Sequence, residues 1–562
     1  MSSLLTNIVP RETSGGMKLK LTLLAILLFH VNAWSKQKAD LVLINGTIYT
    51  VDKQFSTHQA VVIDQGKVLK TGSNDEITTA YDATKTIDLH GKYVYPGFID
   101  AHCHFTGFAL DQYKADLTGT QSYPEVLDRL ISYEKTNKLQ WIYARGWDQN
   151  DWPVKEFPTK KELDSLFPDK PVILKRIDGH AILCNSKALK QAGINAKTTV
   201  KGGVIVLKNN EPTGILIDNA MHLIERIIPD LPEATCTAFL QTMQKTCFSN
   251  GLTLVVDCGL EAAQLQLLQK MYAARQLSIG MTALLSSDKI TLAKYADHGP
   301  VYNGQLEISG IKIYADGALG SRGACLLQPY SDDIHNHGLL LTEPNDIFDI
   351  GRKALARNWQ VCTHAIGDSA NRVVLQLYAK LLQHTNDKRW RIEHAQVVHP
   401  ADFTYFGKYN IVPSVQPTHA ISDMPWVSER LGKSRLPEAY AYKQLLLQNG
   451  WIALGTDFPV EAINPVATFY TAVFRRDKEG RPEKGFLPAN ALSREEALKG
   501  MTIWAAKSVF REKQKGSLEP GKDADLVILD CDLLYDAPEK ILKATPKGTI
   551  LKGTIVYADG LE

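Results

Sequence analysis

Short segments carrying metal-ligating or proton-moving residues recur along the chain: Asp100-Ala101-His102-Cys103-His104, Gly310-Ile311-Lys312-Ile313-Tyr314, Cys362-Thr363-His364, Ile392-Glu393-His394 and Gly455-Thr456-Asp457. Singly, each has a structural explanation. A strand-end histidine is usually hydrogen-bonded in place, a lysine in an apolar strand snorkels to the surface, and an aspartate after Gly-Thr caps a helix. Together, His102, His104, Lys312, His364, His394 and Asp457 form the inventory of a metal site. The period of two along a strand puts His102 and His104 on one face, within reach of one ion. Imidazole and carboxylate in an open site suit Zn2+ best, with Fe, Mn or Co as alternatives.

These residues need elements that bring them to one place. The middle of the chain alternates apolar, strand-like runs with helical patterns, which predicts βα units and a parallel sheet. The candidate strands are 93–100, 252–257, 281–285, 310–315, 360–364, 390–394, 411–416 and 451–457. This predicts an α/β fold, a (β/α)8 TIM-like barrel, whose strand ends converge at the C-terminal mouth where such enzymes work. The gap after the first strand is too long for one βα unit. It predicts an inserted subdomain at about 106–245, rich in Trp and Pro (Trp141, Trp147, Trp152, Pro153, Pro158). The chain ends echo each other: Ala39-Asp40-Leu41-Val42-Leu43-Ile44 against Ala524-Asp525-Leu526-Val527-Ile528-Leu529. Such β-branched runs predict one small β-sandwich assembled from 36–92 and 506–562, with the barrel at 93–505.

Composition narrows the classes. With 44% hydrophobic and 22% charged residues the chain is globular, and a net charge of +2 with no long basic run argues against nucleic acid as a partner. Residues 1–35 read as an N-terminal extension and signal peptide. Met17-Lys18-Leu19-Lys20 is a basic start, Leu21–Val31 an apolar run too short to span a bilayer, and Ala33 a small residue for cleavage. The true start is then Met17, and an exported location, periplasmic or secreted, is expected. The eight cysteines are widely spaced without a CxxC pair, which predicts neither a disulfide framework nor a cysteine zinc cluster. Self-association is left open.

Pro96-Gly97-Phe98-Ile99-Asp100-Ala101-His102-Cys103-His104 resembles the strand-one signature of the amidohydrolase superfamily. Three further segments resemble its amidohydrolase 3 (YtcJ-like) family, which includes N-substituted formamide deformylases. They are Arg176-Ile177-Asp178-Gly179-His180 with Asn185-Ser186, Ala315-Asp316-Gly317-Ala318-Leu319-Gly320-Ser321-Arg322, and Gly516-Ser517-Leu518-Glu519-Pro520-Gly521-Lys522-Asp523-Ala524-Asp525. The resemblance runs from about residue 39 to the C-terminus. It implies that His102, His104 and Asp457 hold one metal and that His364 and His394 hold a second. Lys312 stands where many superfamily members carry a carboxylated lysine bridging two ions. Burial favours the neutral amine that adds CO2 to give such a carbamate; an unmodified Lys312 is the alternative, so one ion or two remains open.

The chemistry that follows is hydrolysis of a non-peptide C–N bond (amide, formamide, imide or ureide) in a small molecule. A metal lowers the pKa of water towards ~7, and Asp457 takes its proton and returns it to the leaving nitrogen. His180, Asp316, Arg322 and His419 are the candidate substrate contacts, and Trp147 and Trp152 either roof the pocket or form the core of the insert. The same fold would also suit an ester, lactone, carbamate or phosphotriester. An inactive metal- or solute-binding barrel is the alternative of a different class; retention of Asp457 beside the histidines argues against it.

Overall fold

The computed structural model describes residues 36–561; the export signal expected at Met17–Val31 lies outside the described residues. Its centre is a parallel sheet running in sequence order from Phe98–Cys103 through Leu252–Leu260, Gly280–Ser286, Leu306–Tyr314, Gln360–Ala365, Arg391–His394 and Val412–Val415 to Ala453–Leu454. The sheet curls into a barrel because the segment after the last strand returns to the first. Asp457 N–H donates to His102 O (2.8 Å), and the buried Asp100 carboxylate takes the Thr456 N–H (3.0 Å) and hydroxyl (2.6 Å). Alternation along the strands sorts the side chains. Ile311 and Ile313 pack outward under the helices, while Lys312 between them is fully buried on the inside. The barrel floor is apolar, built from Ile99, Leu254, Val256, Leu284 and Val412 over Ala505 and Val509.

The predicted first strand, 93–100, is two strands in two different sheets. Tyr93–Pro96 pairs with Thr47–Tyr49 and, antiparallel, with Leu526–Leu529, and only Phe98–Cys103 enters the barrel. Gly97 is the joint. A Cβ there would come within 2.4 Å of the Thr253 side chain, so only glycine lets the chain pass that close.

The two echoing ends face each other across one core. Gln37–Ile44 lies in a four-stranded sheet and Leu526–Leu529 in a six-stranded one, and Leu41, Leu43, Val61 and Ile63 pack against Leu526, Ile528 and Ile550 between them. Between the first two barrel strands the chain forms a separate six-stranded sheet reaching from Ala115 to Asp218. The helix Glu233–Ser249 beyond it packs back on the barrel through Leu240, Met243 and Cys247. Among the described residues all eight cysteines are unpaired, and no helix is long and apolar enough to cross a membrane.

Trp147 and Trp152 belong to the insert core rather than to a roof. Trp152 is buried, donates its Nε1–H to Thr120 O at 2.9 Å, and packs on Trp147 and Tyr123. Trp152→Ala is therefore expected to cost about 3–5 kcal/mol of stability, as buried aromatics do. Denaturant midpoints should fall while turnover of the folded fraction at 25 °C is retained. Lost turnover at an unchanged midpoint would restore the roofing role.

Candidate active site

The strand-end residues do converge. His102 comes from strand one, His104 caps the helix Phe105–Leu110, His364 ends strand five, His394 ends strand six, and Asp457 follows strand eight. Asp457 Oδ1 lies 3.5 Å from His102 Nε2 and 3.3 Å from His104 Nε2, and Oδ2 lies 3.5 Å from His419 Nε2. The His394 ring sits 4.8 Å from that of His102, 4.6 Å from that of His364, and stacks on His419 at 5.8 Å. Lys312 Nζ lies 3.3 Å from His102 Nε2.

Three of the imidazoles are held through Nδ1. The Nδ1–H groups of His102, His104 and His394 donate to Glu393 Oε2 (2.5 Å), Cys258 O (3.2 Å) and Gln416 Oε1 (2.7 Å). That leaves Nε2 of His102 and His104 beside Asp457 Oδ1, the arrangement that orients metal-ligating histidines, while His394 brings Nδ1 to 3.9 Å from Asp457 Oδ2. His364 is turned the other way, with Nε2 3.3 Å from Gly317 O. Two of the central residues sit on left-handed backbone, His394 at φ 72° and Asp457 at φ 63°. Such strain in residues other than glycine gathers at functional sites.

Ligand atoms of His102, His394 and Asp457 all lie within 4.8 Å of one another, a spacing that one ion can bridge. Asp457 Oδ1 is buried without a hydrogen-bond partner among the described residues, as a carboxylate awaiting a cation would be. The protonation states agree. Burial pulls His102 down to about 4 and His364 and His394 well below their ordinary range, so all three are neutral at pH 7. Burial alone would raise Asp457, but the imidazoles of His102, His104 and His394 hold it well below the usual carboxylate range. These residues fit a divalent ion.

A stability prediction follows from His102, whose folded pKa of about 4 lies below its ordinary 6.5. In that window the unfolded chain binds a proton that the folded chain does not. The metal-free protein is expected to lose stability as pH falls from 6.5 to 4, a loss that His102→Asn should lessen. Denaturant midpoints across that range measure it.

The expected substrate contacts divide. His180 and His419 line a cavity of about 180 Å³ together with His104, Lys312, His364, His394 and Asp457. Asp316 and Arg322 are not on its wall. Asp316 is fully buried and accepts the N–H groups of Ile366, Gly367 and Cys325, tying the loop after strand four to the one after strand five. Arg322 pairs with Asp332 at 2.9 Å instead. Arg176 and Trp426, which sequence reasoning did not place at the pocket, do line it. Arg176 is buried between Asp148 and Asp178, and the tight turn at Gly179 (φ 77°) carries the chain on to His180. Asn185 has no part in the cavity; it caps the helix Ser186–Gln191 inside the insert.

The comparisons with known proteins agree with this geometry. The amidohydrolase family model matches residues 85–557. The YtcJ protein of Bacillus subtilis (strain 168) is 32% identical over 524 residues, 91% of this chain and 98% of that one. The N-substituted formamide deformylase of Arthrobacter pascens is 26% identical over 550 residues, 93% of this chain and 99% of that one. Among solved structures, an uncharacterized metal-dependent hydrolase from Pyrococcus horikoshii superposes with a TM-score of 0.72 at 30% identity, covering 89% of this chain and 99% of that one.

Proposed function

Because the chain belongs to the amidohydrolase family, and so to its metal-dependent hydrolases, we propose that it hydrolyses a non-peptide C–N bond of a small molecule. The observation that carries this reading is the convergence of ligand atoms of His102, His394 and Asp457 within 4.8 Å of one another, with His394 and Asp457 lining the cavity. Likeness to a formamide deformylase over nearly the whole chain favours an amide, formamide, imide or ureide as the bond cleaved.

His102, His394 and Asp457, flanked by His104 and His364, would hold the ion, for which zinc suits the nitrogen and oxygen donors best. A divalent ion there would supply Lewis acidity towards the carbonyl and make water a better acid. Asp457, ionised and facing the cavity, accepts the proton that the attacking water gives up and delivers it to the departing nitrogen. His180 and His419 stand on the cavity wall, where the substrate's polar groups are met. The buried walls of the barrel keep bulk water from competing for these hydrogen bonds.

Lys312 is the candidate second carboxylate. Its Nζ is buried, faces His102 and the Tyr314 ring, and has no carboxylate partner among the described residues. A neutral amine at this position adds CO2 and releases a proton, leaving an anionic carbamate able to hold a second ion. Elemental analysis should then give about two ions per wild-type chain and fewer in Lys312→Ala. One ion that survives Lys312→Ala would reduce Lys312 to packing.

The function is tested by incubating the zinc-reconstituted protein with N-substituted formamides, simple amides and cyclic ureides and assaying for released amine. Cleavage of esters or phosphotriesters alone, with every C–N substrate untouched, would overturn the reading.

A further inference from the structure

The insert sends its own pair of side chains to the cavity. His180 Nδ1 lies 2.7 Å from Asp218 Oδ1, and His180 Nε2 has no hydrogen-bond partner among the described residues. His180 immediately precedes the strand Ala181–Cys184 and Asp218 ends its antiparallel neighbour Glu211–Asp218, and the Asp218 N–H donates to His180 O (3.0 Å). The His180 ring stands 5.1 Å from that of His364, so the pair hangs directly over the strand ends.

Asp218 is an unfavourable residue to place there for packing alone. Its backbone adopts φ 53°, ψ −127°, a region disfavoured for any side chain, and its Oδ2 is buried with no hydrogen-bond partner among the described residues. The barrel makes room for it. A Cβ on Gly317 would lie 2.5 Å from Asp218 Oδ2, and one on Gly323 would lie 2.6 Å from the same oxygen. The glycines of the Asp316–Gly323 loop thus admit a carboxylate from another sheet. What this arrangement delivers is one imidazole on the cavity wall, held at Nδ1 and with Nε2 left free of protein hydrogen bonds among the described residues.

We propose that Asp218 is a positioning residue for the hydrolysis, holding His180 so that Nε2 meets the reacting amide group of the substrate. The insert is then part of the catalytic centre, and the glycine loop exists to seat it. This rests on the hydrolase reading of the cavity.

The test uses His180→Gln, Asp218→Asn and the double variant, with Gly323→Ala as a third way of displacing the carboxylate. His180→Gln should lower kcat about 100-fold, in the range seen for a lost transition-state hydrogen bond. Asp218→Asn should lower it about 10–100-fold. The double variant should fall no further than His180→Gln alone, because Asp218 acts only through His180. Metal content and unfolding midpoint should match wild type in both single side-chain variants. Additive losses, or a loss in Asp218→Asn that tracks metal content or midpoint, would overturn the proposal. The dyad is also read without activity, in protein labelled with 15N-histidine. Wild type should show a downfield Nδ1–H proton from His180 besides the one His102 gives on Glu393, and only the His180 signal should vanish in both His180→Gln and Asp218→Asn. Its absence from wild type refutes the dyad. If no C–N substrate is turned over by wild type, the hydrolase reading fails and the positioning role fails with it. If Asp218→Asn turns over normally, only the positioning role fails.

Discussion

Asp457→Asn is expected to lower kcat by about 10³–10⁴-fold while leaving the fold intact, a loss of about 4–5.5 kcal/mol of transition-state stabilisation. The backbone at this position does structural work that the substitution keeps. Asp457 N–H closes the barrel on His102 O, and asparagine tolerates the left-handed φ of 63° as readily as aspartate. What is lost is the charge and the proton acceptor, at a point where Oδ1 stands 3.3–3.5 Å from two imidazoles. The neighbouring histidines keep the wild-type carboxylate ionised well below the usual range, so it is ready as a base at any pH near neutrality. Assay of released amine with saturating zinc, together with elemental analysis, separates the two roles. Lost turnover with metal retained marks the proton acceptor, and lost metal marks the ligand. Turnover within a few-fold of wild type would remove Asp457 from the mechanism.

The strand-end cluster of His102, His104, His364, His394 and Asp457 is legible in the sequence because its members stand at the ends of apolar runs, where the barrel fold brings side chains together. Their supports are not. Glu393 immediately precedes His394, so strict alternation would send one inward and the other outward. The structure turns the chain left-handed at His394 (φ 72°), and both side chains reach the centre. A dihedral reversal of this kind leaves no mark in the order of residue types. Asp218 is equally silent, standing 38 residues from His180 and meeting it only once the insert's strands have paired. Asp316 and Arg322 read in the sequence as substrate contacts, but neither lines the cavity, and the loop that carries them packs closely on Asp218 and Arg176 of the insert. Its signal was the spacing of Gly317, Gly320 and Gly323, which marks close approach of another chain segment rather than chemistry. The run 93–100 was read as one strand because nothing in an apolar stretch says that it changes sheets at Gly97.

Glu393→Gln should give a large loss of stability together with a loss of metal affinity, because Glu393 does two jobs from a fully buried position. Arg391 donates from Nε to Glu393 Oε1 (2.6 Å) and from Nη2 to Oε2 (2.9 Å), and the same Oε2 accepts the His102 Nδ1–H. Both members of the ion pair are inaccessible to solvent. Burial alone would raise the Glu393 pKa, but the Arg391 guanidinium holds it well below the ordinary range, so the pair stays charged at every working pH. Neutralising one partner leaves a guanidinium in the barrel without its counter-charge, which costs about 3–5 kcal/mol. The remaining amide is a weaker acceptor for His102, and metal affinity should fall about 10–100-fold, as it does when a ligand's outer partner is lost. The double variant Arg391→Met, Glu393→Gln separates the two effects. Removing the stranded cation should restore most of the denaturant midpoint, since a neutral pair of similar volume leaves no uncompensated charge in the barrel. Metal affinity should stay low, because His102 still lacks its carboxylate. If midpoint and affinity recover together, His102 is oriented by packing and not by Glu393.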